Sequence, residues 1–276
     1  MPADQPQSEM SFLEHLEAFR WHLVRSFAAI IVFSIIAFVS KEFVFGTLIL
    51  GPSRPDFWFY QMACKFGQDI ANSTAFCIDQ LPFVIQSRKM TGQFSMHITV
   101  SLVLGIIVAF PYFFWEMWRF ISPALYDNER NNSRGATFFV SLLFATGVLF
   151  GYYIVSPISI NFLANYQVDP SVLNEFDITS YVGTITMLVL ACGLMFQLPM
   201  IILFMSKAGI VSPALLKNYR RHAIVGILVV GALITPPDPI SQILIALPLV
   251  VLYEISIGVS ASVIKRKLKK EKQANI

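Results

Sequence analysis

The chain has 276 residues, of which 55% are hydrophobic and 13% charged, with 25 phenylalanines and a formal net charge of +3. A soluble domain carries about a quarter charged residues, so this composition excludes an ordinary water-soluble fold and assigns the chain to lipid.

The first ten residues, MPADQPQSEM, are polar and expected to be disordered. Ser11-x-x-Glu14 then forms a capping box, and Leu16, Phe19 and Leu23 make an apolar stripe at helical spacing. Glu17 and Arg20, three apart, can pair on one helix face. The first span covers about 22–42; no small-residue cleavage site closes it, so it reads as a retained helix rather than a signal peptide. A long mixed connection, 43–93, follows, with short helices of its own expected and Cys64 and Cys77 free to pair if it faces a disulfide-permissive compartment.

Further apolar segments lie at 94–121, 137–163, 179–206, 222–235 and 240–262, joined by short connections, with a basic tail at 263–276. The expectation is a single all-α, polytopic membrane domain with six transmembrane helices. Of the 20 lysines and arginines, all but Lys41, Arg54, Lys65, Arg88 and Lys89 of the first long connection fall on the side of the two termini. Positive residues favour the cytoplasm, so both termini are expected inside. The basic tail suits an anionic leaflet, which explains the net charge without nucleic acid.

The fifth segment is short. Its uninterrupted run, Ala223 to Ile234, rises about 18 Å at ~1.5 Å per residue, against a hydrocarbon core of ~30 Å. The turn after it, TPPDPISQ, carries Asp238, and Pro239 suits a first helical turn. Within the other runs, Glu254 and Gln197 are polar groups at matched depth, about 15 Å from the basic boundary at ~1.5 Å per residue. A carboxylate in such a place lines a cavity or has a partner, so the two are candidates for one intramembrane polar site. Pro111, Pro199 and Pro248 are expected to kink the second, fourth and sixth spans into a concave wall.

There is no phosphate-cradling glycine loop, no zinc-protease motif and no nucleophile elbow. The four histidines lack ligand spacing, and Cys192, inside an apolar run, reads as packing. No metal, no cofactor and no enzymatic activity are expected.

Three ordered stretches carry a family resemblance: MSFLEHLEAFRWHLVRS, FPYFFWEMWRFISPALYDNERN and LITPPDPISQILIALPLVVLYEI. Together they resemble TatC, the multi-span subunit of the twin-arginine protein translocase, over about Met10 to Val263. The resemblance implies a cupped bundle of six helices, the fifth and sixth short, in the bacterial cytoplasmic membrane. It implies binding of twin-arginine signal peptides on folded cargo, export driven by the proton-motive force, single-span TatA/TatB-type partners and self-association. It further implies that Glu129, with Phe120 nearby and Arg130 and Arg20 in the same stretches, belongs to the signal-binding face. The family's usual second glutamate is replaced by Ala18, which leaves Glu17 as the neighbouring carboxylate; Gln197 stands where many relatives have glutamate. Pro52, Asp238 and Gln242 match outer-face positions expected to meet partners. A proton-coupled transporter of small solutes using Glu254 is the competing expectation, and a membrane scaffold without cargo a third.

Overall fold

The computed structural model describes residues 12–71, 77–78, 81–121, 133–234 and 239–274. Helix α1 spans Phe12–Val39. After it the chain makes a short helix at Lys41–Phe43, a π-helical turn at Val44–Ile49 and a 3-10 turn at Gly51–Ser53, then helix α2, Trp58–Ala71. Strand β1, Val84–Gln86, precedes the long helix α3, Gly92–Ile121. Helix α4, Ser133–Phe150, runs through a π-helical turn at Gly151–Val155 into α5, Ser156–Asn165. Strand β2, Glu175–Asp177, leads into α6, Ile178–Met195, and α7, Leu198–Lys207. Helices α8, Pro213–Asn218, α9, Arg220–Ile234, and α10, Pro239–Ala274, complete the order.

Five stretches among the described residues are long and apolar enough to cross a membrane: Leu16–Val39, Gly92–Ile121, Thr137–Asn165, Ile178–Lys207 and Ser241–Lys265. Their outward faces carry exposed Phe27, Ile31, Ile35, Phe138, Leu194 and Leu247, an arrangement that only lipid solvates favourably. Helix α9, at 15 residues, falls below that length. The expected short sixth helix is not found: α10 runs for 36 residues, because helical backbone continues past the apolar stretch into the basic tail.

The three span prolines sit in different helical settings. Helices α3 and α10 stay helical through Pro111 and Pro248, whereas the break between α6 and α7 falls beside Pro199. The unforeseen irregularity is the wide turn before Pro157. A proline entering a continuing helix removes a donor and crowds the preceding turn, and a π-turn gives it room. The Ser156 hydroxyl donates to the Gly151 carbonyl there at 2.8 Å.

The core lies between helices, in three clusters. One centres on Leu188, Leu249 and Tyr253, a second on Val100, Tyr181 and Val182, and a third on Phe110, Val140, Phe144 and Met200. Small residues let backbones approach. Gly147 of α4 and Gly151 of the π-helical turn after it face Cys192 and Gly193 of α6 so closely that a Cβ on Gly147 would lie 2.6 Å from the Cys192 carbonyl oxygen.

At one end of the bundle, β1 and β2 form a two-stranded parallel ribbon with Ile85 opposite Phe176. Phe83 packs on Phe176 with ring centroids 4.9 Å apart, and Arg88 bonds the Glu175 carboxylate at 3.1 Å. Asp177 caps α6 by accepting from the Thr179 amide at 2.8 Å and from the Thr179 hydroxyl; these bonds hold its carboxyl below the usual aspartate range. Helix α2 docks at this ribbon end through Tyr60, whose hydroxyl donates toward the Pro52 and Pro157 carbonyls, each at 3.0 Å. Burial pushes that phenol's pKa up. A disulfide joins Cys64 to Cys77.

Candidate functional site at the α1–α3 seam

Helices α1 and α3 run antiparallel along a seam of small side chains. A Cβ on Gly105 would meet the Ile30 carbonyl oxygen and the Ser34 amide nitrogen, both at 2.8 Å, so only glycine permits this approach. Ser26 and Ser101 are buried along the same line, their hydroxyls donating to carbonyls of their own helices. At the ribbon end the Phe38 and His97 rings stack at 4.0 Å. At the opposite end, where α1 begins and α3 finishes, Phe19 meets Phe120 with ring centroids 5.0 Å apart.

One turn in from those rings lies a polar cluster. Glu116 of α3 is 1% exposed; one carboxylate oxygen takes a bond from His22 Nδ1 and the other accepts from the Tyr112 hydroxyl at 3.1 Å. Arg119 lies over the Trp115 ring, 5.6 Å from its centroid. The Trp118 indole N–H is buried without an acceptor among the described residues. Glu17 and Arg20 are both exposed at this end of α1.

The structure thus gathers Glu17, Arg20 and Phe120 at one end of one helix pair. Glu129 and Arg130, in the stretch after α3, lie outside the described residues, as does Asp238. Pro52 is fully buried beneath α2, its carbonyl taken by Tyr60. The Gln242 amide donates to the Leu228 carbonyl at 3.1 Å and ties α10 to α9.

Glu254 and Gln197 bond different partners. Glu254 holds Arg220 bidentately, Nε to Oε1 at 2.7 Å and Nη2 to Oε2 at 2.8 Å. Gln197 is buried and donates to the Val140 carbonyl at 3.2 Å. Matched depth leaves the helix faces undetermined, and in sequence Arg220, at the start of α9, reads only as boundary charge. Beside this ion pair an apolar cavity of about 370 Å³ opens between α6–α7, α9 and α10, lined by Leu198, Ile201, Ala223, Val230 and Tyr253 among others.

Sequence reasoning missed Glu116 and its partner His22. The signal was present: a glutamate inside the run FPYFFWEMWRF invites the same question as Glu254. No cluster of histidine, cysteine or carboxylate suited to a metal ion occurs among the described residues.

Comparison with known proteins agrees with this architecture. The sequence model of the family "TatC: Sec-independent protein translocase protein" matches residues 14–248. The Sec-independent protein translocase protein TatC of Blattabacterium sp. subsp. Periplaneta americana is 38% identical over 95% of this chain and 98% of its own length. TatCy of Bacillus subtilis is 29% identical over 95% and 93%. Two crystal structures of the twin arginine translocase receptor TatC superpose with TM-scores of 0.67 and 0.70 at 29% and 30% identity. They cover 91% and 90% of this chain and 100% and 99% of their own. With five membrane-length helices, a matching fold and full-length relatives, the chain belongs to the TatC family of Sec-independent protein translocases, as a multi-pass translocase component rather than a catalytic enzyme.

Proposed function

We propose that this chain is the membrane receptor of a twin-arginine translocase. It binds twin-arginine signal peptides where α1 begins and α3 ends, and exports folded cargo with TatA/TatB-type subunits and further copies of itself, driven by the proton-motive force. The observation that carries the reading is the convergence of exposed Glu17 with the Phe19–Phe120 rings on the end of α3 that leads directly to Glu129. A carboxylate accepts a guanidinium bidentately, and adjacent rings offer a surface to the apolar residues that follow the arginines.

The proposed topology has six crossings, with α9 as the fifth and both termini in the cytoplasm. At ~1.5 Å per residue α9 reaches about 22 Å, so the bilayer beside it is thinned. Two independent features support the orientation. Lysine and arginine concentrate at the end where α1 begins, and the Cys64–Cys77 disulfide lies at the opposite, ribbon end, as suits an oxidising compartment.

The test is site-specific crosslinking from the Glu17 and Glu129 positions to a twin-arginine signal peptide. Lysine keeps the charge and loses the planar fork, so exchange of both arginines for lysine abolishes crosslinking if the reading is correct. Crosslinks indifferent to that exchange refute it.

A further inference from the structure

We infer that His22 and Glu116 are positioning residues for the arginine-binding end of the α1–α3 seam. This inference rests on the receptor reading and deepens it: the pair sets the register in which α1 presents Glu17 against Phe120 of α3.

The geometry isolates the role. Among the described residues, two side-chain polar bridges join α1 to α3, one near each end: His97 to the Phe38 carbonyl, and His22 to Glu116. The serines between them do not bridge, because Ser26, Ser34 and Ser101 all donate to their own helices. The middle of the seam is fixed sterically at Gly105, but at the receptor end no glycine locks the helices together. There the directional restraint is the His22–Glu116 contact.

Its chemistry suits that task. A carboxylate this buried is expensive to place in a membrane protein unless both oxygens are satisfied, and here His22 takes one and Tyr112 the other. The Tyr112 bond is within α3, at a spacing of one helical turn, and orients the carboxylate; the His22 bond then reaches across to α1. Phe19 lies one turn before His22, and Phe120 one turn after Glu116. The His22 ring itself stands 6.0 Å from the Phe120 ring. Removing the bridge therefore frees the turns that carry the Phe19–Phe120 contact and, beside it, Glu17. Bidentate recognition of a guanidinium tolerates about 0.5 Å of misplacement, so freedom at that turn appears as lost affinity and lost discrimination between arginine and lysine.

The experiment uses the full chain in nanodiscs and a fluorescent synthetic peptide carrying two adjacent arginines followed by an apolar stretch, with its twin-lysine counterpart as second probe. Glu116→Ala and His22→Ala are each expected to weaken binding of the arginine peptide about tenfold, the effect of losing one charge-assisted bond. Both also narrow the arginine-to-lysine affinity ratio. Glu116→Gln retains an acceptor at this position and falls in between. The double variant His22→Arg, Glu116→Gln rebuilds a donor–acceptor bridge and restores affinity to within about twofold of the starting protein. A general packing defect would lower the melting midpoint, leave the arginine-to-lysine ratio unchanged and resist that rescue; such a pattern overturns the inference. So do single variants, Glu116→Gln included, that bind like the unaltered chain. An unaltered chain that binds neither peptide overturns the receptor reading itself, and the positioning role with it.

Discussion

Gly147→Ala adds one methyl group where α4 meets α6, and the structure states what that methyl encounters. Its carbon would lie 2.6 Å from the Cys192 carbonyl oxygen, 2.8 Å from Phe196 Cβ and 2.9 Å from Gly193 Cα. Ordinary contact begins at 3.4 Å, so the carbonyl alone demands about 0.8 Å of extra separation. Backbone atoms cannot rotate away as a side chain does, and the helices must part. Overpacking of this kind costs about 1–3 kcal/mol, and the better helix propensity of alanine returns about 0.5–1. The net loss, up to about 2.5 kcal/mol and centred on ~1, lowers the melting midpoint by about 2–4 °C for each kcal/mol in a chain of this size.

The protein contains its own reporter for this measurement. Cys192 is a free cysteine, 1% exposed, at the contact that would be forced apart, while Cys64 and Cys77 are bonded to each other. A fluorogenic maleimide therefore reads the α4–α6 seam as the temperature rises. Gly183→Ala on the same α6 is the control, because nothing lies within 4 Å of a Cβ placed there, and its midpoint should hold or rise slightly. If Gly147→Ala labels and melts like the unaltered chain, close glycine packing is not what holds these helices, and the reasoning fails.

Glu254→Ala should leave Arg220 without its bidentate partner. The two side chains are 42% and 48% exposed, so the expected cost is about 1–3 kcal/mol rather than the ~3–5 of a fully buried pair. Replacing both by methionine should restore the protein level in membranes, because no unpaired charge is left; a level that stays as low as in Glu254→Ala would refute this account. Cys64 and Cys77 should accept an alkylating reagent only after reduction, as a mass shift of two labels, and losing the closed loop weakens this region by about 3 kcal/mol, read as faster proteolysis of α2. Labelling without reductant would contradict the disulfide. Asp177 has a lowered pKa, first through the Thr179 hydroxyl and then the Thr179 amide. Its cap is therefore present above the ordinary aspartate range and lost as pH falls through the lowered value. The protection factor of the Thr179 amide, its exchange corrected for the intrinsic pH dependence of amides, should fall on acidification, and Asp177→Asn should remove that fall.

Apolar run length made the long helices legible in sequence, because lipid imposes one simple requirement on every crossing segment. The 15-residue α9 likewise followed from counting between Arg221 and the proline cluster. Side-chain partnerships were less legible, because they depend on which helix faces which. Gln197 and Glu254 have equal depth yet turn toward Val140 and Arg220 respectively. Glu116 sat in plain view inside an aromatic run, but only the α1–α3 pairing gives it His22. Pro111 and Pro248 show a related limit: the loss of one donor does not end either helix, while Pro157, inside the third apolar run, follows a widened turn.

The ribbon has a mechanical consequence. Parallel neighbours cannot be joined by a tight turn, and the connection between β1 and β2 passes down α3 and back through α4 and α5 before returning. Strand β2 runs directly into α6 and β1 leads through five residues into α3, and the Arg88 amide bonds the same Asp177 that caps α6. Neither helix can slide lengthwise against the other without tearing this yoke. Relative movement of α3 and α6 is thereby reduced to a swing about their tethered ends, widest at the far end, where Phe19 and Phe120 meet.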